Sequence, residues 1–204
     1  MTSEGTRAAL APASSDQDPT DARVVSRALS GSQAAYREIV RRYQRPLLNL
    51  IAQIVRDRAE AEDLTQEVFV KAFRALDRYD PARRLSSWLF TIAHNHALDR
   101  LRTVHGVTIS IDSDEVPDVP SAPVDSPADL AERARLADAL GRLRVEYRAA
   151  IVLRYQEDLT QQEIAEVMGV PEGTVKTYLH RARKQLAREM TARGWGPLGR
   201  GGGV

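Results

Sequence analysis

Lys176, Thr177, His180, Arg181 and Lys184, with Thr174 at the head of the run, share one face of a predicted helix. The chemistry open to such a face is recognition. Ammonium and guanidinium groups attract phosphate, and Arg and Lys reach the acceptor edge of guanine, so the face suits the major groove of DNA. Between Glu172 and Arg188 the five basic residues Lys176, Arg181, Arg183, Lys184 and Arg188 stand against one acid, Glu172. The opposite side is apolar. Val175, Leu179, Ala182 and Leu186 follow at intervals of four, three and four, a stripe made for burial.

Two other clusters carry possible chemistry. Asp63, Gln66 and Glu67 sit at i, i+3 and i+4, so a helix would place two carboxylates and an amide on one exposed face. A basic, partly apolar partner helix is what such a face can read. His94-Asn95-His96 has the letters of an HNH nuclease, but that motif needs a ββα metal site and no strand pattern surrounds it here. Two histidines two apart on a helix also point away from each other. With no cysteine and no third ligand nearby, no metal site is expected. No cofactor motif is present, and no enzymatic activity is expected.

These side chains need helices to hold them. Thr160 and Glu163 fit the S/T-x-x-E capping box and start a helix at Gln161. Ile164, Ala165 and Met168 form its apolar face. Gly169 can take a positive φ to end it, and Pro171 blocks continuation while suiting the first turn of the next helix. Ala165 is small enough for the second helix to cross closely, and Val175 fills the angle between them. That spacing is a helix-turn-helix.

Upstream, helical spacing predicts a short helix with Val24, Val25, Ala28 and Leu29 inward, capped at Thr20 and ended by Gly31. A longer one follows from Ser32 through Tyr36, Ile39, Val40, Tyr43, Leu47, Leu50, Ile51 and Ile54, with Pro46 expected to kink it. Asp57 caps a third, with Leu64, Val68, Phe69, Ala72, Phe73 and Leu76 inward. Ser86 or Ser87 caps a fourth, carrying Trp88, Leu89, Ile92, Ala93, His96, Ala97 and Leu101. After Ser126-Pro127 one helix carries Leu130, Ala134, Leu136, Ala137, Leu140 and Leu143. Another carries Tyr147, Ile151, Val152 and Tyr155.

The expected fold is all-α: two small helical domains joined by an acidic, Pro-rich linker, the second containing the helix-turn-helix. The first spans residues 21–104, the linker 105–129 and the second 130–190. The tails, 1–20 and the Gly-rich 191–204, are expected to be disordered. The linker holds Pro117, Pro120, Pro123 and Pro127, six acids and no Lys or Arg. Extended, it reaches about 80 Å. The chain as a whole has 29 basic and 28 acidic residues, so charge segregates along it: net +4 over 31–104, −6 over the linker and +2 over 130–190. The lack of cysteine excludes disulfides and fits a cytoplasmic protein. No apolar run is long enough to span a membrane, so no membrane insertion is expected.

The segments Ala61-Glu-Asp-Leu-Thr-Gln-Glu-Val-Phe-Val-Lys-Ala-Phe73 and Ser87-Trp-Leu-Phe-Thr-Ile-Ala-His-Asn95 resemble the second domain of bacterial sigma factors. The stretch from Tyr147-Arg-Ala-Ala-Ile-Val-Leu-Arg-Tyr155 to Leu186 resembles their fourth. Two such domains without the third resemble the extracytoplasmic-function group of the sigma-70 family. The resemblance covers residues 32–104 and 130–188.

The resemblance implies a transcription initiation factor. It would bind core RNA polymerase through the β′ clamp helices and the β flap, recognise promoter minus-thirty-five and minus-ten elements, and promote opening of the DNA. Asp63, Gln66 and Glu67 then dock on the clamp helices. Arg83, Arg84, Trp88, His94, Asn95, Arg100 and Arg102 serve the minus-ten element. Asn95 contacts a flipped base, the arginines contact the opened strand, and His94 faces DNA while His96 enters the core. Trp88 lies on the apolar stripe, as a core anchor would, and is also a candidate stacking wedge. Thr174, Lys176, Thr177, His180, Arg181, Arg183 and Lys184 serve the minus-thirty-five element. An anti-sigma protein is the further partner implied. The acidic linker would thread toward the polymerase cleft and imitate RNA. The competing reading is a stand-alone helix-turn-helix regulator that needs no polymerase. Promoter sequence, regulon, inducing signal and the identity of the anti-sigma protein are not encoded in these motifs.

Overall fold

The computed structural model describes residues 19–105 and 127–192. The expectations for the N-terminal tail before Pro19, the linker between 106 and 126 and the tail after Ala192 lie outside the described residues. Within them the fold is all-α. The helices are α1 (Pro19–Leu29), α2 (Gln33–Val55), α3 (Arg58–Arg74), α4 (Leu85–His105), α5 (Pro127–Gly141), α6 (Val145–Tyr155), α7 (Gln161–Met168) and α8 (Glu172–Ala192), with a 3-10 turn at Leu76–Arg78.

Side-chain caps set the starts of α2, α3 and α7. The Ser32 hydroxyl accepts from the Ala35 N–H at 3.4 Å, and the Asp57 carboxylate accepts from the Glu60 N–H at 2.7 Å. Each satisfies a donor that the first turn leaves unpaired. α2 is a single helix through Pro46. The proline removes one backbone bond, but Leu47, Leu50, Ile51 and Ile54 around it are fully buried and hold the helix in place. Burying each such side chain stabilises by about 1.5–3 kcal/mol.

α4 starts earlier than the serines suggest. Leu85 opens it, and the Arg84 carbonyl accepts from the Trp88 N–H at 3.2 Å. The chain is already fixed upstream. The Asp80 carboxylate accepts from the Ala82 N–H at 2.8 Å, and the Tyr79 hydroxyl donates to the Arg83 carbonyl. Ser86 and Ser87 therefore fall inside the first turn, and Ser87 is buried. Three large apolar residues expected inward are not: Leu29 is 53% exposed, Leu136 42% and Tyr155 60%. Leu29 and Tyr155 are the last residues of their helices, where the packed face has ended, whereas Leu136 lies inside α5.

In the second unit the capping box of α7 forms in full. The Thr160 hydroxyl accepts from the Glu163 N–H, and the Glu163 carboxylate accepts from the Thr160 N–H at 2.8 Å. Gly169 ends the helix at φ 65°. Val170 N–H then reaches the Ala165 carbonyl at 3.1 Å and Gly169 N–H the Glu166 carbonyl at 3.4 Å. This is a Schellman closure, and the positive φ is what asks for glycine.

The two units are packed together, which the segmentation of the sequence does not foretell. α6 lies against α2, and α7 against α4. One contiguous cluster of buried side chains runs from Val24 to Ala182.

Candidate nucleic-acid interface

α8 is rooted by Val175, Leu179 and Ala182, all buried. Its other side is open. Lys176, Thr177, His180, Arg181, Arg183 and Lys184 are exposed, and Thr174 is half-buried at the start. Local bonds orient part of this face. Thr177 donates to the Gly173 carbonyl at 2.9 Å, and Arg183 to the Leu179 carbonyl at 3.2 Å. Arg181 donates to the Tyr147 hydroxyl at 3.3 Å, a bond that raises the guanidinium's pKa. Tyr147 in turn packs on Tyr178, with ring centroids 5.5 Å apart. The sequence-predicted face is thus gathered in one place. Its chemistry fits phosphate and guanine edges.

α4 is different. Leu85, Leu89, Phe90, Ala93 and Ala97 are buried, and so is His94 at 4% exposure. The expectation that His94 faces DNA is therefore wrong: α4 is packed on several sides, and position 94 points inward. Burial pushes the imidazole pKa down, and the nearby Arg102 charge adds to that push. Its Nδ1 has no hydrogen-bond partner. His96, expected in the core, is only partly covered. It bridges α3 and α4, its Nε2 2.7 Å from the Glu67 carboxylate and its Nδ1 2.6 Å from the Lys71 ammonium. Trp88 is half-buried against Tyr79, ring centroids 5.4 Å apart, which is the anchor arrangement.

Asn95 is exposed. Arg100 pairs with Glu60 at 2.6 Å and Arg102 with Asp99 at 3.0 Å. Arg83 and Arg84, at the other end of α4, pair across to α7. Arg83 meets Glu166 at 2.7 Å, Arg84 meets Glu163 at 3.2 Å, and Ser87 donates to Glu163 at 3.5 Å. Burial raises the Glu163 carboxyl, but the bonds from Thr160 and Arg84 outweigh it and leave its pKa lowered. At 1.5 Å per residue the two arginine pairs are roughly 24 Å apart along α4.

Asp63, Gln66 and Glu67 are exposed together on α3. Val70, 49% exposed, continues that face three residues beyond Glu67. Sequence reasoning passed over it, although its spacing from Asp63, Gln66 and Glu67 was the available signal.

Also missed was Arg148, 4% exposed on α6. Its Nε donates to the Gln53 carbonyl in the last turn of α2, and its Nη1 to the Gly141 and Leu143 carbonyls, at 3.1 and 2.9 Å. Burial, with a contribution from Arg56, lowers its pKa to about 10. A cleft of about 220 Å³, lined by Asp21, Tyr79, Arg83, Arg84 and Glu157 among others, lies beside the α4–α7 contact. Burial raises the Glu157 carboxyl there. Among the described residues no group of His, Cys, Asp and Glu is placed to hold a metal, and no helix is long and apolar enough to cross a membrane.

Residues 39–105 match the family model described as Sigma-70 region 2, and residues 133–186 that described as Sigma-70, region 4. The chain is 32% identical over 175 residues to the ECF RNA polymerase sigma factor SigW of Bacillus subtilis, covering 78% of this chain and 91% of that protein. It is 34% identical over 156 residues to the RNA polymerase sigma factor CarQ of Myxococcus xanthus, covering 76% and 89%. Among solved structures it is similar to CnrH, determined in complex with the cytosolic domain of CnrY. The TM-score is 0.64 and the identity 29%, over 84% of this chain and 97% of that one. The sigma factor RpoE of Bartonella quintana, at 22% identity and a TM-score of 0.62 over 76% of this chain and 96% of that one, shares the fold.

Proposed function

The chain belongs to the extracytoplasmic-function group of the sigma-70 family of RNA polymerase sigma factors, and from that membership we propose how its helices divide the work. As a sigma factor it binds core RNA polymerase and promoter DNA and directs transcription initiation. Sigma factors are generally not enzymes. We assign this chain no covalent step; phosphodiester chemistry belongs to the polymerase, in the cytoplasm.

The residue roles are the proposal. Asp63, Gln66 and Glu67, extended by Val70, form the face for the β′ clamp helices. Two carboxylates beside an exposed valine suit a basic helix with an apolar ridge. His96 holds Glu67 in position. Asn95 reads a base taken out of the stack, since an amide offers both donor and acceptor to a freed edge. Arg83, Arg84, Arg100 and Arg102 track the opened strand by charge alone. His94 is withdrawn from that set. Lys176, Thr177, His180, Arg181, Arg183 and Lys184 enter the major groove at the minus-thirty-five element, with Thr174 at the helix start. An anti-sigma protein is the expected antagonist.

The observation that carries this reading is the coexistence, on one chain, of the α3 docking face with the open basic face of α8. A regulator acting without polymerase has no use for the first. The test is transcription reconstituted with core polymerase on a library of genomic fragments, with start sites mapped. Initiation at specific sites is expected, and its absence without inhibitor present would overturn the reading. Asp63→Lys and Glu67→Lys should lower core affinity while leaving the helical signal intact, because both side chains are exposed. Undiminished core binding would remove that role.

A further inference from the structure

Glu67 and Lys71 are four apart on α3, the spacing and order at which a glutamate and a lysine ordinarily pair directly. Here the His96 ring of α4 stands between them. The Lys71 ammonium lies 2.6 Å from its Nδ1, and the Glu67 Oε2 lies 2.7 Å from its Nε2. We propose that Lys71 and His96 are positioning residues of the polymerase-docking face: they hold one oxygen of the Glu67 carboxylate so that the other is aimed at a cation of the partner helix. The inference rests on the docking role given above to Asp63, Gln66 and Glu67.

Three observations support it. The first is the place of the ring hydrogen. An ammonium only donates, so Nδ1 accepts from Lys71. The hydrogen of the neutral ring then sits on Nε2, where it meets a carboxylate oxygen. Only this tautomer satisfies both neighbours. The other would set an N–H against the ammonium and a lone pair against the carboxylate. Lys71 therefore acts on Glu67 through the ring, by fixing which nitrogen carries the hydrogen.

The second is burial. The His96 side chain is 14% exposed and that of Glu67 59%. Packing grips the ring, while the carboxylate it holds stays open. A fixed support under an open tip orders the tip before its partner arrives, so less freedom is lost on binding. Among the described residues Glu67 Oε1 has no bond of its own, which leaves it to the partner.

The third is selectivity. Asp63 and Gln66 share the exposed face, yet among the described residues neither has a side-chain partner on α4. Glu67 is the member of the set that a second helix holds.

The affinity of the full-length chain for core polymerase tests the inference, with circular dichroism checking that each variant is folded. His96→Leu removes both ring bonds and should weaken core binding about threefold to tenfold. His96→Gln should recover most of that loss, because an amide donates to Glu67 from its nitrogen and accepts from Lys71 at its oxygen. Lys71→Met keeps the stem, removes the donor and should weaken binding about twofold to fivefold. In a Glu67→Ala background the same change should cost nothing further, since no carboxylate is left to hold. The side-chain nitrogen resonances of His96, recorded where the ring is neutral, should show the hydrogen on Nε2.

A ring that carries its hydrogen on Nδ1 would overturn the inference. So would core affinity unchanged in His96→Leu, no recovery in His96→Gln, or Lys71→Met and Glu67→Ala losses that simply add, which would make Lys71 a contact in its own right. The nitrogen resonances need no polymerase. Failure of the parent chain to bind core would count against the sigma-factor reading, whereas the wrong tautomer counts against the positioning role alone.

Discussion

α4 and α8 are each 21 residues long and each is proposed to meet promoter DNA, yet the fold treats them in opposite ways. α8 buries one stripe and gives its other side to solvent. α4 packs against α2, α3 and α7, so even Ser87 and His94 are enclosed. The difference fits what each is proposed to read. A duplex groove can be met by a helix that is ready beforehand. An opened strand exists only after melting, and a helix that offered its arginines earlier would bind any polyanion. At the start of α4, Arg83 and Arg84 are instead paired with carboxylates of α7.

The largest expected effect sharpens this contrast from the α8 side. Arg181→Ala should weaken binding to a minus-thirty-five duplex by about tenfold to a hundredfold, if the contact is to a base. The loss should be the same in the Glu166→Arg background, because the α4–α7 contact leaves that face open. Fluorescence anisotropy with labelled duplex measures it, and a loss that depends on the background breaks the contrast.

Asn95→Ala should lower open-complex formation about tenfold while duplex affinity stays unchanged. A matching fall in duplex binding would mean that the two helices do not divide the work. Replacing Arg83 and Arg84 with Ala together should make strand binding less steeply dependent on salt, the slope falling by about one for each phosphate no longer neutralised. Base preference should stay as it is.

The smallest effect concerns acid. The folded pKa of His94 is lowered, so below the ordinary histidine range, near 6.5, the unfolded chain takes the proton first. Stability of the first unit should decline as pH falls from there. The pKa of Glu163 is also lowered, but it is a carboxylate. Its contribution is present above the ordinary carboxylate range and disappears only as pH falls through its folded value. Thermal unfolding against pH should show α4 weakening before α7. His94→Gln should remove the earlier phase, and if that phase persists the cause lies elsewhere.

The helix-turn-helix was readable because its instructions are local. Thr160 with Glu163, Gly169 and the Val175–Leu179–Ala182 stripe all act within one or two turns. α4 was harder. A helix apolar on most sides carries little periodic contrast, so nothing marked His94 as inward and His96 as bridging. The family resemblance placed His94 with DNA, and packing overruled it. The α4–α7 contact was not legible at all. Arg84 and Glu163 are 79 residues apart, and within its own segment Glu163 reads only as the capping-box partner of Thr160. Arg148 was missed for the same reason, although the run Tyr147-Arg-Ala-Ala-Ile-Val-Leu leaves α6 no polar side for a guanidinium to occupy. The exposure of Val70 follows from the same periodicity that marks Asp63, Gln66 and Glu67, and had only to be followed one step further.

Arg148 carries one more consequence. The Gln53 carbonyl it binds belongs to the last turn of α2, where the helix supplies no amide of its own to meet it. While the guanidinium is in place, that turn is stitched shut from outside. If the units part, the stitch is withdrawn and the end of α2 is left to fray. Deuterium uptake at the amides around Arg56 would then serve as a native gauge of how often the molecule unclasps.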